Sequence, residues 1–146
     1  MIVLIVLAAV TLLCRLAGVA GVAALDSWVV SARWGLAAML AFTGVAHFTR
    51  MRQDMIRMLP PWVPWGSAVV AFTGVCELAA AVGILLPETR RLAGILLIVF
   101  FLAILPANIH AARAGVPVAG RPATPVGWRV PIQLGFIVLA WWVTRP

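Results

Sequence analysis

Five long apolar runs, separated by short polar segments, follow one another along this chain. They span residues 2–25, 30–48, 65–86, 92–112 and 130–143. Because an α-helix of about 20 mostly apolar residues crosses a bilayer core, the pattern predicts five membrane helices. The last run is short for a span, but Trp128 precedes it and Trp141 and Trp142 lie near its end, as suits a membrane boundary.

The polar segments between the runs predict turns and loops. In residues 49–64, arginines alternate with methionines and an isoleucine, as in an amphipathic turn on the lipid headgroups, and prolines then stop any helix. Residues 113–129 are rich in glycine and proline and predict an irregular loop over one end of the bundle. Pro106 is expected to kink the fourth helix near Asn108.

The first run is expected to be a retained helix and not a cleaved signal peptide. It opens without basic residues and carries Arg15 in its middle, although residues 22–24 resemble a cleavage site. Ala17 and Gly21, four positions apart, offer a small-residue face for helix packing.

Composition and charge support one membrane domain over residues 1–146. The chain is 64% hydrophobic and its mean hydropathy is +1.11, well above the values of soluble domains. Eleven basic residues, all arginine, face four acids, and they lie between or at the ends of the apolar runs. That distribution marks membrane topology and gives no basis for nucleic-acid binding. The predicted fold class is therefore an all-α, polytopic membrane helical bundle.

The arginines also predict an orientation. Six of them lie in the segments after the second and fourth runs, namely Arg50, Arg52, Arg57, Arg113, Arg121 and Arg129. Four lie towards the other side, namely Arg33, Arg90, Arg91 and Arg145. The positive-inside rule then places the N-terminus and the two arginine-rich segments in the cytoplasm.

Three charged residues within the runs predict a buried polar core, namely Arg15, Glu77 and Arg33. Glu77 lies near the middle of the third run, where a carboxyl group must be neutral or have a partner. Arg15 lies near the middle of the first run, so matching depth predicts that it pairs with Glu77. The alternative is that Arg15 bonds helix carbonyls while Glu77 is protonated.

A second polar set lies at the arginine-rich end of the runs. His47, Asn108 and Gln133 are expected to bound a pocket that can hold a quinone headgroup, because a carbonyl in an apolar groove needs only one or two placed donors. The alternative is that all three residues cap helix ends. No metal site is predicted, and a haem between His47 and His110 is disfavoured because His110 and Asn108 cannot point the same way.

An internal repeat relates the two polar sets. Residues 41–48 read AFTGVAHF and residues 71–78 read AFTGVCEL, which puts His47 in register with Glu77. The repeat arises either by chance in a restricted alphabet or from a duplicated helix element.

Three segments resemble the DoxX family of small bacterial integral membrane proteins. They are GVAHF at 44–48, ELAAAVGILLP at 77–87 and PANIHAA at 106–112, and the resemblance covers about residues 31–143. It implies a four-helix core over residues 30–143, with residues 2–25 as an extra N-terminal helix, in the bacterial inner membrane. His47, Glu77 and Asn108 fall in the matching segments.

The resemblance implies a function linked to quinones or redox stress. Some members are named as subunits of terminal quinol oxidase or thiosulfate:quinone oxidoreductase assemblies, and others are grouped with redox-stress systems. We therefore expect an accessory membrane subunit that has an oxidoreductase as its partner. The alternative is a non-catalytic membrane protein, which can be a homo-oligomer, with a lipid or small solute in its polar interior. No residue pattern in the chain constitutes an autonomous oxidoreductase.

Overall fold

A computed structural model describes residues 2–117, 120 and 124–145, and these residues are almost entirely helical. Five helices are long and apolar enough to cross a membrane. They are α1 (Ile2–Val19), α2 (Trp28–Ala46), α4 (Gly66–Gly83), α5 (Arg90–Arg113) and α6 (Val126–Thr144). A short helix, α3 (Arg52–Met58), and a 3-10 turn (Ala23–Leu25) complete the described elements. The five predicted spans are thus confirmed as helices of spanning length.

The helix ends differ from the sequence prediction at two places. The first helix stops at Val19, because the chain turns at Gly21, whose φ is 113°, into the 3-10 turn. The last helix begins at Val126 and includes Pro131, so it has 19 residues and is not short. The predicted turn on the headgroups contains α3, which has seven residues.

Helix α2 lies at the centre of the bundle. It packs against α1, α4 and α6, and α5 packs against α4 and α6, so that α2, α4, α5 and α6 form a closed ring. Helix α1 packs on α2, outside this ring. Burial agrees with this arrangement, since 56% of the α2 span but only 6% of the α1 span is buried. Correspondence of the ring to the DoxX four-helix core stays a prediction.

The core and the exterior are both apolar, as lipid surroundings require. Leu36, Leu40, Ile84 and Leu97 are buried between the helices. Large apolar side chains are also exposed on the outer faces of the long helices, among them Leu13, Leu16, Phe72, Leu96 and Val99. In water such a surface would drive aggregation, whereas in a bilayer it contacts acyl chains.

The contact between α1 and α2 depends on Gly35, which corrects the predicted packing face at Ala17 and Gly21. A Cβ atom at Gly35 would lie 2.7 Å from the Leu7 carbonyl oxygen and would collide with Thr11. Gly21 lies beyond the end of α1, and a Cβ atom there would meet nothing within 4 Å.

The predicted loop over the bundle end falls partly outside the described residues. Residues 118, 119 and 121–123, which include Arg121, are not described. Helix α5 continues through Pro106 as far as Arg113.

Candidate functional site

Two glycines let α2 and α4 approach each other closely near the end of α2. A Cβ atom on Gly74 would lie 2.6 Å from the Cβ of His47 and 2.9 Å from the Phe48 ring. A Cβ atom on Gly44 would lie 2.9 Å from the Leu78 side chain and 3.1 Å from the Gly74 carbonyl oxygen. Such contacts are possible only where small residues let two backbones come together.

These glycines are equivalent positions of the internal repeat. Gly44 meets Leu78, and Gly74 meets Phe48, which is the repeat equivalent of Leu78. Exchanged contacts of this kind are what a local two-fold axis between antiparallel helices produces. The repeat therefore has a packing role at this crossing, whichever way it arose.

The crossing brings His47 and Glu77 together, and both are buried. His47 Nδ1 lies 2.9 Å from the Thr43 carbonyl oxygen. Because a carbonyl only accepts, Nδ1 carries a proton and donates a hydrogen bond to the Thr43 carbonyl oxygen. Glu77 Oε2 lies 3.9 Å from the same Nδ1, which is too far for a hydrogen bond.

Glu77 Oε2 is thus a buried oxygen without a hydrogen-bond partner among the described residues. The nearby Thr43 hydroxyl donates to the carbonyls of Met39 and Leu40 in its own helix, so Oε2 stays unsatisfied. Most buried polar atoms in folded proteins have a partner, so an unpaired carboxyl oxygen points to a missing donor or acceptor.

A cavity of about 100 Å³ lies beside this carboxyl group. Its polar lining consists of Thr43, Glu77 and Gln133. The remaining wall is apolar and is formed by Val3, Met39, Leu40, Phe101, Ile104 and Phe136. All five long helices contribute at least one of these residues.

Gln133 connects the cavity to the arginine-rich end through hydrogen bonds. Its Nε2 donates to the Phe101 carbonyl over 3.0 Å, and its Oε1 accepts from Asn108 Nδ2 over 3.2 Å. Asn108 Oδ1 in turn accepts from Arg129 Nη1 over 3.3 Å. The side chain of Gln133 is therefore held in one orientation, with its amide at the cavity wall.

The structure brings together part of the predicted pocket. Asn108 and Gln133 are hydrogen-bonded to each other, but His47 lies at the α2–α4 crossing and is not among the cavity-lining residues. Glu77 occupies the place at the cavity that was predicted for His47. Sequence reasoning missed Thr43 and Arg129, although each lies four residues before a predicted site residue and so on the same helix face.

The predicted pair of Arg15 and Glu77 is corrected by the structure. Arg15 Nη1 donates to Asp26 Oδ1 over 2.6 Å, and its guanidinium carbon lies 5.6 Å from the Trp28 ring centroid. Arg15 is therefore level with the beginning of α2, whereas Glu77 lies beside His47 at its end, about 28 Å further along the helix axis.

The third member of the predicted polar core, Arg33, is buried at the opposite end of the bundle from Glu77. Its Nε donates to the Val143 carbonyl oxygen over 2.9 Å. The Arg33 guanidinium thereby satisfies a carbonyl near the end of α6 that has no partner within its own helix.

In the described residues no three His, Cys, Asp or Glu side chains lie together, and Cys14 and Cys76 are free thiols.

Comparison with known proteins yields one family. Residues 36–144 match the family model described as a domain of unknown function, DUF8561. The chain belongs to the DUF8561 family. No curated protein and no solved structure matches it.

The DUF8561 match contains nearly all of the site. It begins at Leu36, within α2, and runs to Thr144, the last residue of α6. Every residue that lines the cavity except Val3 lies inside the matched range, and α1 lies outside it. The comparisons do not bear on the resemblance to the DoxX family, which stays a prediction.

Proposed function

We propose that this DUF8561 protein binds a small, hydrogen-bonding solute inside its membrane bundle, between Glu77 and Gln133, and does not itself catalyse a reaction. The observation that carries the proposal is that Glu77 Oε2, in the bundle interior, has no hydrogen-bond partner in the described part of the chain and belongs to a carboxyl group that lines the cavity. A buried carboxyl oxygen without a partner costs free energy, and a solute that supplies a hydrogen bond removes that cost.

The volume of the cavity sets the size of the solute. At about 100 Å³, it is smaller than the engineered cavity of about 150 Å³ that accepts benzene. A solute of a few heavy atoms fits without movement of the walls. The polar lining offers a carboxyl, a hydroxyl and a carboxamide group, so the matching solute carries a hydroxyl, amide or carbonyl group.

An anionic solute is disfavoured because no arginine is among the described residues that line the cavity. The nearest cationic group in the hydrogen-bonded chain is Arg129, which contacts Asn108 and not the cavity-lining Gln133. An anion would meet Glu77 without a compensating cation, and burial of an uncompensated charge is costly.

The test is stabilisation of the detergent-purified protein by small probes of four heavy atoms, namely acetamide and isopropanol. Binding of a probe at 100 times its dissociation constant stabilises the folded state by about 2.7 kcal/mol, which is seen as a rise in melting temperature. We expect this rise to be lost in Glu77→Leu and in Gln133→Leu.

The repeat provides a matched control for this test. Thr43 lines the cavity, whereas its repeat equivalent Thr73 is not among the lining residues, and both hydroxyls donate to a carbonyl of their own helix. Thr43→Val should weaken the effect of the probes and Thr73→Val should leave it unchanged. Equal stabilisation of all four variants would mean that the probes act elsewhere.

A second candidate is an accessory subunit of a quinone-linked or redox-stress membrane system. It is supported by the positions of the three DoxX-like segments, which lie near one another around the cavity. His47 of the first segment lies beside Glu77 of the second, and Asn108 of the third is hydrogen-bonded to the cavity-lining Gln133. A quinone ring is larger than benzene, so binding it requires a wall to move. Val3 is the wall residue on α1, which lies outside the ring of four helices.

The two candidates separate when a quinone is the probe. If the second is right, decylubiquinone should stabilise the wild type, and Gln133→Leu should abolish the effect. The protein should also co-purify in mild detergent with a quinone-dependent oxidoreductase activity. Stabilisation by acetamide or isopropanol but not by decylubiquinone would exclude quinone binding in this cavity.

A further inference from the structure

A groove with no role in the proposed solute site lies at the other end of the bundle, between the beginning of α5 and the end of α6. Its volume is about 320 Å³ and it is lined by Arg91, Ile95, Ile98, Trp141, Thr144 and Arg145. Both arginines lie at helix ends. Ile95 and Ile98 lie on the same helix as Arg91, about 6 Å and 10 Å further along its axis. The groove is therefore cationic at the membrane boundary and apolar at greater depth.

The two arginines of the groove are available to an anion. The guanidinium carbon of Arg145 lies 3.8 Å from the centroid of the Trp141 ring, a cation–π contact that positions the charge over the groove. Arg91 is exposed. Neither side chain forms a salt bridge in the described part of the chain.

Other groups at this end strengthen the positive field. Arg90 donates to the carbonyls of Ile84 and Leu85, and Arg33 donates to that of Val143. Neither forms a salt bridge with an acid among the described residues, including the exposed Glu88 in the turn before α5. The first turn of α5 contains no acidic residue, and its free N–H groups add partial positive charge.

We propose that this groove binds the phosphate headgroup of an anionic phospholipid, with an acyl chain along Ile95 and Ile98. Arginine suits this role because its planar guanidinium group can donate two parallel hydrogen bonds to phosphate oxygens. Inorganic phosphate shares that chemistry but would leave the isoleucines without a partner. The exposed apolar side chains of Leu92, Leu96 and Val99 on the same helix continue the surface that acyl chains cover.

The test is native mass spectrometry of the delipidated protein titrated with phosphatidylglycerol or with phosphatidylcholine. Each arginine near a membrane surface contributes about 1 kcal/mol to the binding of anionic lipid, so the double variant Arg91→Gln/Arg145→Gln should bind phosphatidylglycerol about 30-fold more weakly. Binding of phosphatidylcholine should not change. A matched control is Arg50→Gln/Arg113→Gln, which removes two exposed arginines from the other end of the bundle. This variant should bind phosphatidylglycerol as tightly as the wild type does.

Three outcomes would overturn the proposal. One is unchanged affinity of the Arg91→Gln/Arg145→Gln variant for phosphatidylglycerol, and another is an equal loss of affinity in the control variant. The third is displacement of phosphatidylglycerol by an equal concentration of glycerol 3-phosphate, which would show that the groove recognises phosphate without a lipid. Because Arg91 and Arg145 are both exposed, the double variant should keep the wild-type melting temperature in phosphatidylcholine, which shows that it is folded.

Discussion

Arg15, Arg33 and Glu77 are charged residues within apolar segments, but the two arginines have hydrogen-bond partners, whereas Oε2 of Glu77 has none in the described residues. Arg15 binds Asp26, and Arg33 binds the Val143 carbonyl. A long guanidinium group can reach a carbonyl or a loop acid at a helix end. An ionised carboxylate can only accept hydrogen bonds, and α4 offers Glu77 no free donor because its N–H groups at that depth are used within the helix. Glu77 is therefore the charged side chain of the three that keeps an unsatisfied atom.

The partner of Arg15 can be tested by two double-mutant cycles of stability in detergent. The side chain of Arg15 is 23% exposed and that of Asp26 is 58% exposed, so the pair is screened and should have a coupling energy of about 0.5–1 kcal/mol. We expect this coupling between Arg15→Gln and Asp26→Asn. The changes Arg15→Gln and Glu77→Gln should be additive, since the two residues lie far apart. A larger coupling for the second pair would contradict the structure.

The crossing of α2 and α4 decides where the site forms. The two helices are staggered, so that the end of α2 lies beside the middle of α4, with Gly74 against His47 and Gly44 against Leu78. This stagger brings Glu77 next to His47 and Thr43. The site therefore depends on the absence of two side chains as much as on the polar groups that are present.

Substitution of the glycines tests this dependence. A Cβ atom at Gly74 would lie 2.6 Å from another Cβ atom, which cannot rotate away, so Gly74→Ala should destabilise the protein by about 1–3 kcal/mol. Gly135 in α6 has nothing within 4 Å of its Cβ position, and Gly135→Ala should be neutral or stabilise by up to about 1 kcal/mol. Thermal unfolding in one detergent compares the two variants directly. A harmless Gly74→Ala would mean that the helices do not approach this closely.

At the scale of the whole molecule, a ring of four helices encloses the polar interior, and α1 adds only one wall residue to the cavity. The two ends of the bundle differ in kind. The hydrogen-bonded chain from Arg129 to Gln133 leads inward from the arginine-rich end, whereas the opposite end carries the groove of Arg91 and Arg145. How the bundle is oriented in the membrane therefore decides which compartment each feature faces.

The predicted orientation can be tested with single cysteines in a variant in which Cys14 and Cys76 are replaced by alanine. Gln53 in α3 and Glu88 between α4 and α5 are both exposed and lie at opposite ends of the bundle. With the N-terminus in the cytoplasm, an impermeant maleimide on intact cells should label Glu88→Cys. It should label Gln53→Cys only after permeabilisation. The reverse pattern would invert the topology.

The sequence by itself determined the five helices of this protein, whereas the kink expected at Pro106 stays a prediction. Membrane insertion of a helix is a property of one segment, because each run must bury its own apolar side chains and satisfy its own backbone. Helix periodicity also predicted that Asn108 and Gln133 lie near the same end of the bundle, and in the structure they are hydrogen-bonded to each other.

Only the tertiary structure decided which polar groups meet. Position within an apolar run was a poor guide to depth, because the turn after Val19 ends α1 early and the stagger of α4 against α2 separates Arg15 from Glu77. A helix pattern also gives the direction of a side chain only relative to its own helix and not the neighbour that it faces. The pairing of Arg15 with Asp26, and the meeting of Glu77 with Thr43 and Gln133 at one cavity, therefore follow from how the helices pack.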